Sequence, residues 1–538
     1  MKLPSIRSFV PEKKSLLLAV LSALLLILAF PDFEYWYLAW FGLVPLLWGI
    51  EREKASPSRC FALGWLWGVV FFFGTCWWLA HAPIHYAAFP PLLAYFLLFC
   101  VTAVAAIFPG LFGLITSIFL RRFGAWGFLL APFVWTATEF ARYWITGNNW
   151  NAVGYSQAFG SAGSFGRDTD GIGFVELASV GGSALVSFAC ISINGFLVLV
   201  LTRPKSTRLV LSYLGLFLFL FGTLVYGAFF RIITVSHGQP RRADVLAIQP
   251  DVPMSGLSRE RWLELRRKHV QLTEAALRSL RWQFDIGDQR PTTVIFPESP
   301  MNFAFEEDPE FQRFVSAFAA KNNVNVLFNS AEPDPENKKY FNSAVLVGTD
   351  GSEIVQYDKI YLLPFGESVP APLQAIVPAF VGSFSYGKNY NMVPLGEGIN
   401  AGVMICFESH FGGHAREFVK RGADVMIEMT NDGYLGPTPV LRQHLANAVF
   451  RAVETGRPVL RVTNVGITAY IDERGEVVDP ADSYTEATRV WSVSKSDGHQ
   501  TFYVKYGDWF AWLCTLVTIA FLMYSYFVRK PIADPQQA

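Results

Sequence analysis

The chain has 538 residues, of which 52% are hydrophobic, 16% aromatic and 16% charged, with a mean hydropathy of +0.30. A typical soluble domain is about 25% charged, so the composition excludes a purely soluble protein and predicts an integral membrane protein with a soluble portion. The 44 basic residues balance 44 acidic ones, and a net charge of zero gives nucleic acid no electrostatic footing.

A helix needs roughly 20 apolar residues to cross about 30 Å of hydrocarbon. Eight runs qualify, at approximately 14–31, 35–50, 60–80, 90–119, 124–145, 181–202, 209–230 and 508–528. Lys13 and Lys14 precede the first run as they would a signal peptide, but Phe30 to Glu34 lacks a small-x-small cleavage site, so a retained helix is expected. The second run is short. The fourth is long, and Pro90-Pro91 and Pro109-Gly110 are places for it to kink or re-enter.

Basic residues fall in alternate loops. Lys2, Arg7, Lys13 and Lys14 precede the first run; Arg52, Lys54 and Arg59 follow the second; Arg121 and Arg122 the fourth; Arg203, Lys205 and Arg208 the sixth; Arg529 and Lys530 the eighth. The other loops are nearly bare, with Arg167 in the long one after the fifth run. The positive-inside rule puts both termini in the cytoplasm and, after seven crossings, the large polar segment outside, which in a bacterium is the periplasm. The expected division is a membrane domain over 1–235, an extracytoplasmic α/β domain over 236–500, and a last transmembrane helix with a short cytoplasmic tail over 501–538.

Tyr35 to Tyr37, Trp77, Trp78, Trp144 and Trp150 crowd the helix ends as an interfacial belt. Glu139 and Arg142 differ. They stand three apart near the outer end of the fifth run, on one helix face where they can pair. Ionisable groups at that depth are candidates for a site in the membrane region; the plain alternative is a structural ion pair.

From about 240 the pattern alternates. Strands are expected at 243–249, 292–296, 324–328, 343–348, 353–357, 401–405, 424–428, 459–463 and 468–471, and helices at 257–282, 311–321, 412–421 and 440–455. That alternation predicts an α/β layered domain, and such sheets build their sites beyond the carboxyl ends of strands.

Five of the six cysteines lie in the apolar runs; Cys406 stands alone in the polar segment, where a strand ends on it. No disulfide can form within that segment, so cysteine usage does not report the compartment. A cysteine nucleophile needs a base to take its proton and a cation to hold the developing oxyanion. Glu298, just past the 292–296 strand, and Lys359, just past the 353–357 strand, are candidates for those tasks, with Glu367 a second carboxylate nearby and Glu408 two residues beyond the cysteine. Taken singly, such residues are ordinary: inert packing, a turn residue, a solvated charge. Their joint placement at strand ends is the signal. His410 and His414 are too few for a zinc site, so no metal and no cofactor are expected.

Phe296-Pro-Glu298, Lys359 followed by the Leu363 to Pro370 run Leu-Pro-Phe-Gly-Glu-Ser-Val-Pro, Ile405-Cys-Phe-Glu408 and Thr430-Asn-Asp432 resemble the nitrilase (carbon–nitrogen hydrolase) superfamily. With seven helices before that segment and one after it, the chain is most similar to the apolipoprotein N-acyltransferase family within it. Trp135 to Arg142, Gly154 to Gln157, Arg457 to Arg461 and Thr463 to Thr468 add to the likeness, which runs from about residue 15 to 528. The resemblance implies a multi-pass α-helical membrane domain plus an αββα sandwich carrying a Glu-Lys-Cys triad. It implies that Glu298 is the base, Cys406 the nucleophile that becomes a thioester, and Lys359 the oxyanion stabiliser, with Glu367 and Glu408 orienting or polarising the site. It further implies a phospholipid acyl donor such as phosphatidylethanolamine, a diacylglyceryl-cysteine apolipoprotein acceptor, and a place in the bacterial inner membrane. Two departures stand out: Phe407 occupies a position where the family often has Tyr, and the segment from Met254 to Ser258 lacks the family's Trp, the nearest being Trp262.

An acyltransferase must keep water from its thioester. The apolar stretch from Ala371 to Val381 and the residues around Tyr434 and Leu435 are candidates for a lid. A membrane-anchored amidase or nitrilase acting on a small amide fits the triad equally, but leaves seven helices unexplained. A transporter would show internal repeats and charges lining a path; the sequence shows no repeat between its halves and, of such charges, only Glu139 and Arg142.

Overall fold

The computed structural model describes residues 10–160, 173–203, 206–235, 242–254, 258–283, 290–298, 304–364, 366–369 and 384–527. The chain divides into two compact units. One comprises residues 1–230, 438–446 and 506–538; the other 231–437 and 447–505.

The first unit is helical: α1 (Lys13–Leu28), α2 (Val44–Glu53), α3 (Pro57–Thr75), α4 (His81–His85), α5 (Pro91–Ala105), α6 (Ile107–Phe123), α7 (Trp126–Thr146), α8 (Ala178–Thr202) and α9 (Thr207–Val235), joined by a last helix at Trp509–Phe527. Among the described residues, five stretches are long and apolar enough to cross a membrane: Pro57–Thr75, Pro91–Phe123, Phe174–Thr202, Thr207–Gly227 and Trp509–Phe527. The run expected at 35–50 is not one helix; it is a 3-10 turn at Trp36–Trp40 followed by the ten-residue α2. The long fourth run divides at Ala106 into α5 and α6. Pro109 explains the break, because its ring excludes the carbonyl four residues back, at Ala105, the last residue of α5.

Lipid-facing surface is evident on α5, which exposes Leu92, Phe96, Val101 and Val104, and on α9, which exposes Leu211, Leu214, Leu218 and Phe221. Apolar area on that scale belongs in hydrocarbon. Inside the unit, α3 and α6 approach through small residues: a Cβ on Gly64 would lie 2.0 Å from the Pro109 carbonyl oxygen, and one on Gly113 2.2 Å from that of Cys60. Close backbone approach of this kind is how helices associate where no hydrophobic force drives them. The chain is a membrane protein.

The second unit holds β1 (Arg242–Gln249), α10 (Arg259–Gln283), β2 (Thr292–Ile295), α11 (Pro309–Asn322), β3 (Asn325–Asp334), β4 (Lys339–Val347), β5 (Glu353–Asp358), β6 (Phe384–Ser385), β7 (Val393–Gly396), β8 (Ile399–Ile405), α12 (Gly412–Lys420), β9 (Val425–Thr430), part of α13 (Val440–Thr455), β10 (Val459–Thr463), β11 (Ala469–Ile471), β12 (Val477–Val478) and β13 (Ala487–Ser494). A short α14 (Phe502–Tyr506) follows, and the last helix of the chain is α15. One sheet runs β13-β1-β2-β3-β4-β5, with β6 beside β4; the other runs β12-β11-β10-β9-β8-β7. The centres are parallel (β1, β2, β3 and β8, β9, β10) and the margins antiparallel, except that the two-residue β6 lies parallel to β4. The sheets pack face to face, β1 on β10 and β2 on β7, while α10 and α11 cover the first sheet and α12 the second. This is the expected αββα sandwich.

Local chemistry explains the elements. Asp308 caps α11 by accepting from the Glu310 and Phe311 N–H groups, Pro309 opens it, and Asn323 closes it in a left-handed conformation. Leu246, Val294, Val326, Phe328 and Val345 from alternate strand positions meet Phe311, Val315 and Phe318 of α11 in the outer core. The strand β13 was not expected. Its inner residues Trp491 and Val493 alternate with exposed Val490 and Ser492, so only half of it reads as apolar, and its partner β1 is more than two hundred residues distant in sequence.

Candidate active site

Three strand ends converge. β8 delivers Cys406, the first residue of a 3-10 turn, with φ of +51°. A non-glycine residue there is strained, and the abrupt turn carries the thiol out of the strand line. β2 leads through Phe296 and Pro297 to Glu298. β5 ends at Asp358, and Lys359 is pinned on both sides: its N–H donates to the Asn342 carbonyl (2.8 Å) and its carbonyl accepts from Gly387 N–H (2.8 Å).

Lys359 is buried. Its Nζ donates to Glu367 Oε1 at 2.8 Å and lies 3.6 Å from Glu298 Oε1. Glu367 is held by Leu363 N–H (2.7 Å) and Asn342 Nδ2 (2.7 Å). Glu298 accepts from Asn342 Nδ2 (3.0 Å) and Asn431 N–H (3.1 Å), and its carboxylate hydrogen-bonds the Cys406 thiol. Burial raises the Glu298 pKa above the usual carboxylate range against the pull of Lys359, with Glu367 adding to the rise. Burial also pushes the Cys406 thiol up, and Glu298 adds to that, so the resting sulfur is a thiol rather than a thiolate. Lys359 moves the other way for its type: burial disfavours the ammonium, but Glu367 and Glu298 outweigh it and hold the charge.

Glu408 has a different place. It is fully buried and accepts from Ile360 N–H (2.6 Å), Tyr361 N–H (3.1 Å), Ile405 N–H (2.8 Å) and Tyr357 Oη (2.8 Å), with His414 Nε2 3.6 Å away. It ties the Lys359 segment to the strand that carries Cys406. Burial pushes its pKa up, yet His414 and the Ile405 N–H bring it below the usual range. Beneath the site, Arg461 lies fully buried between Glu428 (2.6 Å) and Asp432 (2.7 Å), and Asp432 accepts from Thr430 Oγ1 at 3.2 Å.

Sequence reasoning missed Asn342, which donates to both Glu298 and Glu367 and is itself oriented by Asn329 Nδ2 at 2.7 Å. An asparagine within a buried strand was the available signal. It also missed Tyr357 and His414 as holders of Glu408. Phe407 is buried and stacked on His410 (centroids 5.5 Å apart), and Trp262 packs against Val252 and Leu265. Of the lid candidates, the stretch from Ala371 to Val381 lies outside the described residues, while Tyr434 is exposed in the 3-10 turn Asp432–Leu435 directly after Asn431. Among the described residues no cluster of three or more His, Cys, Asp or Glu side chains is placed to hold a metal.

In the helical unit, Glu139 and Arg142 take separate partners. Glu139 Oε1 accepts from Val153 N–H (2.8 Å), while Arg142 donates to the Trp150 carbonyl (3.0 Å) and to Asn149 Oδ1 (3.1 Å) and lies over the Phe72 ring. Gln157 bridges the Trp36 carbonyl and the Trp40 indole, each at 3.0 Å.

The two-sheet sandwich with a cysteine, a lysine and a glutamate at its strand ends defines a carbon–nitrogen hydrolase domain, and the carbon-nitrogen hydrolase family model matches residues 290–501. A second model, the apolipoprotein N-acyltransferase N-terminal domain, matches residues 22–196. Apolipoprotein N-acyltransferases are similar over nearly the whole chain. That of Geobacter metallireducens is 29% identical over 514 residues, covering 93% of each chain. That of Pasteurella multocida is 26% identical over 96% of this chain and 97% of its own, and that of Photobacterium profundum 27% identical over 92% of each. The two domain models together account for residues 22–196 and 290–501, and the chain is similar to apolipoprotein N-acyltransferases along nearly its whole length.

Proposed function

We propose that the protein transfers a fatty acyl chain from a phospholipid, phosphatidylethanolamine first among candidates, to the α-amino group of the N-terminal diacylglyceryl cysteine of apolipoproteins. The observation that carries this reading is the strained Cys406 hydrogen-bonded to Glu298 with the Lys359 ammonium beside it, in a chain whose helices expose apolar faces suited to lipid.

In the first half, Glu298 accepts the Cys406 proton as sulfur attacks the ester carbonyl carbon. The C–S bond forms, the carbonyl electron pair moves to oxygen, and Lys359 stabilises that oxyanion. Collapse restores the carbonyl and breaks the C–O bond, and the lysophospholipid alkoxide leaves with the proton from Glu298. In the second half, the acceptor amine attacks the thioester and gives its proton to Glu298. The C–N bond forms, the C–S bond breaks, and the departing sulfur recovers the proton. Two halves sharing one covalent intermediate predict ping-pong kinetics. Glu367 holds Lys359 in place, and Glu408 fixes the backbone on either side of the site. The distribution of basic loops supports an inner-membrane protein with both termini cytoplasmic and the α/β unit in the periplasm. Glu139 and Arg142 anchor the 149–153 turn.

Intact-protein mass spectrometry of the detergent-purified chain mixed with phosphatidylethanolamine tests the reading. An acyl mass is expected on wild type and not on Cys406→Ala, removable by hydroxylamine and by a diacylated lipopeptide amine. Turnover of small amides without any acyl adduct would favour an anchored amidase and sink the proposal.

A further inference from the structure

The run Thr430-Asn431-Asp432 stands at the end of β9, and the proton transfers described above leave Thr430 and Asp432 without a task. The sheet sets their place. In the parallel pair of β8 and β9, Ile405 lies opposite Met429, so Cys406 and Thr430, the next residue of each strand, stand side by side at the strand ends. The Asn431 N–H donates to Glu298 at 3.1 Å. One dipeptide thus touches both members of the thiol–carboxylate pair. Its backbone holds the base, and its Thr430 side chain reaches the sulfur by a hydrogen bond.

Thr430 is fully buried, and its hydroxyl carries one proton for two acceptors within reach. In the resting site it donates to Asp432 Oδ1 at 3.2 Å. The other side of that carboxylate is fixed independently. Asp432 Oδ2 accepts from Arg461 Nη2 at 2.7 Å, Arg461 Nη1 lies 2.6 Å from Glu428, and the Gly466 backbone comes so close that a Cβ there would lie 2.4 Å from Oδ2. Asp432 therefore keeps a charged donor and its position if the hydroxyl turns away. A thiol accepts weakly and a carboxylate strongly, so the hydroxyl rests on Asp432. A buried thiolate is an anion as well, and Asp432 has Arg461 to fall back on. The ionisable groups acting on the sulfur are Glu298 and Lys359 from the first sheet and Asp432 and Arg461 from the second. Burial, Glu298 and Asp432 all oppose a negative sulfur, so a donor that arrives with the charge counts.

We propose that Thr430 is a further catalytic residue, a rotating donor whose hydroxyl turns from Asp432 to the Cys406 sulfur as negative charge forms there. It acts twice. In the first half it meets the sulfur as Glu298 takes the proton, and it returns to Asp432 once the C–S bond has used the electron pair. In the second half the pair of the breaking C–S bond goes to sulfur, and the hydroxyl turns again until the proton comes back from Glu298. No bond of Thr430 is made or broken. The inference rests on the roles proposed for Cys406 and Glu298 in acyl transfer.

The test measures alkylation of Cys406 by iodoacetamide from neutral to alkaline pH on the full-length protein in detergent, read by mass spectrometry of the peptide that carries Cys406. Alkylation consumes the thiolate and needs no acyl donor, so it decides for Thr430 separately from whether phosphatidylethanolamine forms a thioester. Thr430→Val keeps the shape and removes the hydroxyl. Its profile should lie about one pH unit above wild type, or roughly tenfold slower at a given pH, the scale of one hydrogen bond to a charged group. Thr430→Ala, measured alongside, should behave as Thr430→Val does, and Thr430→Ser should return the profile toward wild type. Asp432→Asn frees the hydroxyl and removes an opposing charge, so it should shift the profile to lower pH. The shift should be smaller in a Thr430→Val background, where no hydroxyl is left to release. A Thr430→Val profile lying on that of wild type, a Thr430→Ser profile lying on that of Thr430→Val, or equal Asp432→Asn shifts in the two backgrounds would overturn the proposal and leave Thr430 as packing at a strand end.

Discussion

Glu298 and Glu408 are both removed from water within the same α/β unit, yet their surroundings push them in opposite directions. Glu408 receives three backbone N–H groups and the Tyr357 hydroxyl, and His414 beside it, with the Ile405 N–H, brings its pKa below the usual range. Glu298 receives Asn342, the Asn431 N–H and the Cys406 thiol, and shares Lys359 with Glu367; burial and that neighbouring carboxylate carry its pKa up. Burial is common to both, so the neighbouring charges and donors, His414 and backbone N–H groups at Glu408 against the Glu367 carboxylate at Glu298, decide which carboxylate stays a fixed anion and which is able to take a proton. A base must be under-supplied with compensating charge and donors; a structural anion must be saturated. In the helical unit, Glu139 accepts from the Val153 N–H and Arg142 donates to the Trp150 carbonyl and Asn149.

The largest expected effect is at the under-supplied carboxylate. Glu298→Gln keeps the shape and removes the base, and thioester formation should fall roughly 10²- to 10⁴-fold with the melting temperature little changed. Stopped mixing with phosphatidylethanolamine followed by intact mass measurement reads this directly; a near wild-type rate would remove Glu298 from the proton transfer. Glu408→Gln should behave in reverse. Its amide turns donors toward N–H groups that now lack an acceptor, a loss of about 3 kcal/mol in stability, seen as a lower thermal midpoint in detergent. Equal stability with lost activity would reverse the roles assigned to the two residues.

A subtler test moves Glu298 toward the other regime. Glu367→Gln removes the carboxylate that raises Glu298 and leaves Lys359 to Glu298 alone. The base acts only when ionised, so thioester formation in wild type should rise with pH through an elevated Glu298 pKa. In Glu367→Gln the acid limb of that profile should shift to lower pH. A limb that stays in place, or moves up, would mean that Glu367 does not set the Glu298 proton affinity.

What the sequence made legible follows from the range of the interactions. Glu298, Lys359 and Cys406 each stand just past an apolar strand run, so local pattern located them, and alternating periods located the layered unit. Asn342 escaped because its importance comes from the antiparallel pairing of β3 with β4, which brings it to Asn329. Tyr357 escaped because its partner Glu408 is 51 residues on. Strand β13 escaped because one face of it is polar. In the helical unit, hydropathy announced apolar runs but not where the backbone would break; it is Pro109, already marked in the sequence as a place to kink, that separates α5 from α6.

The smallest predicted effect probes the comparison most finely. Tyr357→Phe removes one of the four donors that saturate Glu408 and leaves the backbone three in place. The carboxylate should remain ionised at neutral pH, at a cost of about 1.5 kcal/mol for one hydrogen bond to a charged group. The pH dependence carries the sign. A carboxylate whose folded pKa lies below its unfolded value contributes stability that is present above the unfolded pKa and is lost as pH falls through the folded one. Losing a donor raises the folded pKa toward the unfolded one. Acid destabilisation of Tyr357→Phe should therefore begin at higher pH than in wild type, and the two stability curves should converge once Glu408 is protonated in both. Thermal unfolding in detergent from neutral to acid pH measures this. Parallel curves would show that Tyr357 contributes packing alone, and that donor count does not separate Glu408 from Glu298.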